Sequence, residues 1–180
     1  MGSAVGTRRF IAIMTVGTVL YAKQERTYIL KFVGDIRYTM SCSLDQFLGQ
    51  LFKRSDYDAI TIDLTETTSI DSTNLGLLAK VANFTRQRFG HKPPLYSNNC
   101  DINRVLDSMG LEDVFELHCE PCERCPHTAK PLEVTEPNSR DMARTILDAH
   151  CVLSELNEKN QIEFRDIVGV LRQQQPSISN

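Results

Sequence analysis

The chain has 180 residues, 41% hydrophobic and 24% charged, with a formal net charge of -3. That suffices for one domain with a sizeable core plus an appendage, and is too little for two large domains. Lys and Arg form no stripe interleaved with aromatics, and no apolar run reaches about 18 residues, so direct nucleic-acid binding and a transmembrane helix are disfavoured. A cytoplasmic protein with a protein partner or a small ligand is the expectation.

In chain order, "MGSAVGTRRF" has the look of a leader or vector-derived extension, which assigns residues 1–13 to it and makes Met14 a plausible start. Arg8-Arg9 followed by an apolar stretch imitates an export signal, but Thr15, Gly17 and Thr18 interrupt it and it leads straight into a hairpin pattern. Gly17 to Ala22 and Thr27 to Val33 alternate apolar and polar residues around "KQER", as two paired strands do, and Gly34-Asp35 ends the second. Leu44, Phe47, Leu48, Leu51 and Phe52 then fall on one helix face, with Ser43 and Gln46 spaced as a capping box.

"YDAITIDL" reads as a short buried strand ending at Leu64, and "TETTSID" as the turn after it. A helix starting near Ser72 carries Leu75, Leu78, Ala82, Thr85 and Phe89 at helical spacing until Gly90 stops it. A strand follows Pro93-Pro94, and a short helix from Asp101 carries Ile102, Val105, Leu106 and Met109 up to Gly110. "LEDVFEL" is an apolar exit. The order β-β-α-β-α-β-α implies an α/β domain over residues 14–117, with a mixed, mostly parallel sheet of four to five strands and helices on one side.

Residues 118–137, rich in Cys, His and Pro, read as a linker, and 138–180 as a helical tail. In the tail, Met142, Ile146, Ala149, Leu153 and Leu156 form one apolar stripe behind an Asn138 or Ser139 cap; Ile167, Val168 and Leu171 form a second. The tail is therefore one long helix or two, docked on its own domain or used as a homodimer or partner surface. His91 and His150 read as surface or tail residues.

A strand that turns through Asp71 into a helix at Ser72 places a hydroxyl at a helix N-terminus, at the carboxyl end of a strand, where open α/β sheets collect ligands and signals. A phosphate there would meet unpaired N–H groups, while Asp71 beside it would repel it; modification would change what docks rather than stabilise the fold. The simpler reading is that Asp71 or Ser72 only caps the helix.

"AITIDLTETTSIDSTNLGLLAKVA", Ala59 to Ala82, resembles the central signature of STAS domains of the bacterial anti-sigma factor antagonist type, in which a "DL" strand precedes "(I/M)DS(S/T)GLG" and a helix. "KFVGDI", Lys31 to Ile36, resembles that family's turn after the second strand, and "INRVLDSMGLEDVFEL" its third helix and exit, so the likeness spans residues 17 to 117. The resemblance implies a non-enzymatic module working by partner switching. Its unphosphorylated form binds an anti-sigma factor that is also a serine kinase and frees the sigma factor; phosphorylation reverses this and a PPM-type phosphatase resets it. Carried over, Ser72 is the phosphorylated residue, Asp71 and Thr73 flank it, and Asp35 lies nearby on the neighbouring strand-end loop. Asn74 stands where the family more often has glycine and adds a side chain beside the serine.

"HCEPCERCPH" brings Cys119, Cys122, Cys125 and His127 close in sequence, with His118 before them. Zinc is one expectation, completed by a histidine or Cys151; an iron–sulfur cluster with Cys42, Cys100 or Cys151 as fourth ligand is another, and free thiols a third. The competing functions are thus a scaffold or ligand-sensing STAS module that is never phosphorylated, and a small metal or redox protein. Ser72 lacks the G-x-S-x-G elbow and no histidine is placed by motif as its base, which disfavours a serine hydrolase. No glycine-rich nucleotide loop is present.

Overall fold

β1 (Thr18–Gln24) and β2 (Thr27–Ile36) form an antiparallel hairpin in which Gln24 pairs with Thr27 and Thr18 with Val33. The chain continues through α1 (Ser41–Leu51), β3 (Ala59–Ile70), α2 (Ser72–Phe89), β4 (Pro94–Tyr96), α3 (Cys100–Ser108), β5 (Glu116–His118) and β6 (Lys130–Pro131), then α4 (Ser139–Ser154) and α5 (Glu158–Gln174). The structure is a computed structural model that describes residues 17–122 and 129–174. The sheet runs β5-β4-β3-β2-β1-β6, with β2, β3, β4 and β5 parallel and β1 antiparallel to both its neighbours.

The described residues form six strands where the sequence pattern implies four to five. The additional one comes from the segment read as a linker: Lys130 and Pro131 pair with Tyr21 and Leu20, and the Leu132 amide donates to the Val19 carbonyl at 2.8 Å. A proline is tolerated there because β6 is an edge strand.

Strand alternation decides where the core lies. Val19, Tyr28, Leu30, Phe32, Ile60, Ile62, Leu64 and Leu95 are buried together, and their cross-strand register puts them on one sheet face. All five helices contribute to the same hydrophobic cluster, through residues such as Leu48, Leu78, Leu106, Leu153 and Phe164.

Two boundaries differ from the sequence reading. The capping box at Ser43 does not form: α1 starts at Ser41 after a 3-10 turn at Tyr38–Met40, and the Ser43 hydroxyl accepts from the Thr135 amide at 3.1 Å instead. Nor is "TETTSID" a turn. β3 runs through it to Ile70, and β2 runs past Gly34-Asp35 to Ile36, because the β2–β3 register shifts twice, between Lys31 and Val33 and between Gly34 and Asp35. Each shift gives β3 one residue more than β2, which is how a bulge absorbs hydroxyl-rich sequence without ending a strand. Asp63 Oδ1 accepts from both the Thr65 amide (2.9 Å) and the Thr65 hydroxyl (2.6 Å), and the Thr67 hydroxyl donates to the Phe32 carbonyl at 3.0 Å. Gly34, on β2 at the second shift, has φ 78, in the left-handed region that glycine enters without steric cost.

The tail is two helices, docked on the domain. Asn138 caps α4 by accepting from the Asp141 amide at 2.8 Å. In α5 the buried Asn160 donates through Nδ2 to the Met109 and Leu153 carbonyls, both at 2.9 Å, tying the turn after α3 to α4.

Candidate functional site

The bulged end of β3 delivers Asp71 to the start of α2. Its amide donates to the Ile36 carbonyl of β2 at 3.2 Å, so the N-terminus of α2 is fixed to the sheet by backbone. Asp71, with extended backbone at φ -90 and ψ 167, is the N-cap: Oδ1 accepts from the Asn74 amide at 3.0 Å and from Asn74 Nδ2 at 2.9 Å. Asn74 is fully buried, and its side chain doubles the hold on the capping carboxylate. Of the two residues that could cap α2, Asp71 does so. Ser72 is left with a hydroxyl that the helix start does not require.

That hydroxyl has a partner. Ser72 Oγ lies 3.0 Å from His150 Nε2, and His150 Nδ1 lies 2.8 Å from the Ile146 carbonyl one turn back in α4. A carbonyl only accepts, so Nδ1 carries a proton toward Ile146, and Nε2 is the ring atom that faces the Ser72 hydroxyl. The ring is buried, and Phe164 of α5 holds it edge-on at a centroid distance of 5.7 Å. His150 lies in the tail, on α4, and not on the surface: it is buried against Ser72, 78 residues away in sequence. The available signal was its position between Ile146 and Leu153 on the apolar stripe of α4, where a histidine needs a hydrogen-bonding explanation.

Asp35 lies within β2 rather than on a loop, paired in register with Ser69 and one residue before the carbonyl that holds Asp71. Arg37 Nε donates to its Oδ2 at 2.7 Å, while Oδ1 is buried with no hydrogen-bond partner among the described residues. The structure thus gathers Asp35, Asp71, Ser72, Thr73 and Asn74 at one corner of the sheet. Ser72 and Asp71 are half-buried; Thr73 and Asn74 are buried and present no surface to a partner in this arrangement.

The expected metal ligands fare differently. Cys125 and His127 lie outside the described residues. Cys119 is exposed and Cys122 half-buried, and the His118 ring stacks on Tyr96 at 4.8 Å. Cys42, buried against Met142 and Thr145, sits on α1, Cys100 on α3 and Cys151 on α4, so no two of these three share an element. Among the described residues no group of three or more His, Cys, Asp or Glu is arranged to hold a metal ion. A cavity of about 610 Å³ opens elsewhere, between α1 and β6, lined by Tyr21, Ser43, Phe47 and Lys130 among others. No helix among the described residues is long and apolar enough to cross a membrane.

The family model of the STAS domain matches residues 18–124, more than half of the chain. Among solved structures, an anti-sigma factor antagonist from Mycobacterium paratuberculosis is similar at 21% identity and a TM-score of 0.49, covering 58% of this chain and 87% of that one. At that level the likeness carries no argument about function. No curated protein sequence matches the chain.

Proposed function

Because the chain belongs to the STAS domain family, we propose that it is a non-enzymatic anti-sigma factor antagonist that works by partner switching through Ser72. The unphosphorylated form binds an anti-sigma factor with serine-kinase activity and so releases the sigma factor. Phosphorylation of Ser72 ends that complex, and a PPM-type phosphatase restores it. The observation that supports this reading is the division of labour at the start of α2: Asp71 accepts from the Asn74 amide, so modification of the Ser72 hydroxyl leaves the helix cap intact.

The electrostatics favour a switch. A phosphate on Ser72 brings about -1.5 to -2 charges next to the Asp71 carboxylate, which sharply raises the local negative potential a docked partner meets. Around it, Arg37 and Tyr38 are exposed at the β2–α1 connection and extend the surface available to a partner.

The Ser72–His150 pair favours one other reading, a nucleophilic serine with an imidazole base. Against it, neither Ser72 nor His150 is among the residues that line the cavity of about 610 Å³. Co-purification of the anti-sigma factor with Ser72→Ala and Ser72→Asp forms tests the switch. The alanine form retains the partner and the aspartate form releases it; equal retention by both contradicts the reading. Turnover of an activated ester that Ser72→Ala abolishes would establish the nucleophile instead.

A further inference from the structure

α2 is buried on more sides than one sheet can cover. Thr73 through Ala79 are seven consecutive buried residues, whereas a helix with one face on a sheet and one in water alternates. The second cover is α4. Two adjacent residues of α4 meet two successive turns of α2: His150 bonds Ser72, and the Ala149 backbone approaches so close to Gly76 that any β-carbon there would overlap the Ala149 carbonyl oxygen. Glycine at 76 is what lets the two helices touch backbone to backbone. α5 completes the clasp, with Phe164 against the His150 ring and Lys159 Nζ on the Ser108 carbonyl at 2.9 Å.

We propose that the α4–α5 tail is a built-in occupant of the switch surface, and that its docking on α2 and phosphorylation of Ser72 exclude one another. The inference rests on Ser72 being the modified residue and adds how access to it is controlled. The docked His150 donates its Nδ1–H to the Ile146 carbonyl and sets Nε2 3.0 Å from Ser72 Oγ. A phosphoryl group on Oγ adds a phosphorus and three oxygens where only 3.0 Å separates Ser72 from the His150 ring, so the docked geometry leaves it no room on that side, in a half-buried site beside the Asp71 carboxylate. The docked tail, in turn, covers the hydroxyl that a kinase must reach. Coupling of this kind is reciprocal: whatever captures the freed tail favours modification of Ser72, and modification of Ser72 frees the tail. A partner that docks on Thr73 or Asn74 reaches them after the same displacement.

The experiment uses the full chain with phosphoserine placed at position 72 during translation, so that no kinase is needed, and reads amide hydrogen exchange along the chain. Residues 139–154 are expected to exchange at least about tenfold faster than in the unmodified protein, while β2 and β3 keep their protection. Gly76→Ala, which improves helix propensity in α2 while blocking the close approach of α4, is expected to reproduce that pattern without any phosphate. Unchanged protection of residues 139–154 in either protein overturns the proposal, as does a loss of protection that extends through β2 and β3. Absence of phosphate on Ser72 in native cells would defeat the partner-switching reading alone, because neither exchange measurement depends on it.

Discussion

The two ends of α2 are held by different chemistry. At its C-terminal end, Phe84 stacks on Phe52 at 3.9 Å, Phe89 meets Tyr57 edge-on at 5.5 Å, and Arg88 lies 5.7 Å from the Phe89 ring. Gly90 closes the helix at φ 79, its amide donating to the Arg86 carbonyl at 3.0 Å. Every one of these partners lies between residues 52 and 90, and each contact is backed by others of the same kind. At the N-terminal end the outer cover includes a hydrogen bond to His150 and a backbone approach to Ala149, supplied together with buried apolar residues such as Leu147 and Leu153 by a segment about 75 residues downstream in sequence. Local aromatic packing fixes the first end; the second is covered by a distant segment whose docking depends on one polar contact and one close steric fit in addition to its apolar packing, so a modification at Ser72 acts on that segment and not on the first end.

Breaking the aromatic end has the largest expected effect. Tyr57 is buried and its hydroxyl donates to the Leu51 carbonyl at 3.1 Å, so Tyr57→Ala should lower the unfolding free energy by about 3–5 kcal/mol in urea titrations. Gly90→Ala forces a β-carbon into the left-handed region and should cost about 1–2 kcal/mol in the same assay. Asp71→Ala removes the cap at the other end and should cost about 1 kcal/mol, with faster amide exchange confined to the first turn of α2.

The effect that vanishes at neutral pH is a pH dependence. Burial pushes the Tyr57 phenol up to about 12 from its ordinary value of 10.0, against the opposing pull of the Arg88 guanidinium. The folded state keeps this group neutral where the unfolded chain ionises it. Its stabilising contribution is therefore complete below pH 10 and declines as pH rises from there through about 12. Tyr57→Phe should flatten the slope of stability against pH in that window and leave it unchanged at neutral pH.

The sequence carried the first end of α2 better than the second. Helical spacing from Leu75 to Phe89 and the stop at Gly90 are local signals, and α2 runs from Ser72 to Phe89. The sheet was legible for the same reason wherever strands alternate. "TETTSI" was not, because hydroxyl-rich residues favour turns as isolated sequence, and only pairing with a β2 that is itself two residues short across the bulges keeps them extended. β6 is two residues long and includes a proline, so it has no periodicity to find. The corner itself was legible through Asp71 and Ser72, whereas His150 joins it through a tertiary contact that no local pattern encodes. Asn74, which looked like an intrusion beside the serine, is a buried support for the cap.

The measurement that bears most directly on the account is phosphosite mapping by mass spectrometry of the protein recovered from its native cells, in states with the anti-sigma factor bound and released. The account predicts phosphate on Ser72 in the released state and an unmodified Ser72 in the bound one. A serine at 72 that stays unmodified in both states, or phosphate found only on Thr73, would contradict it.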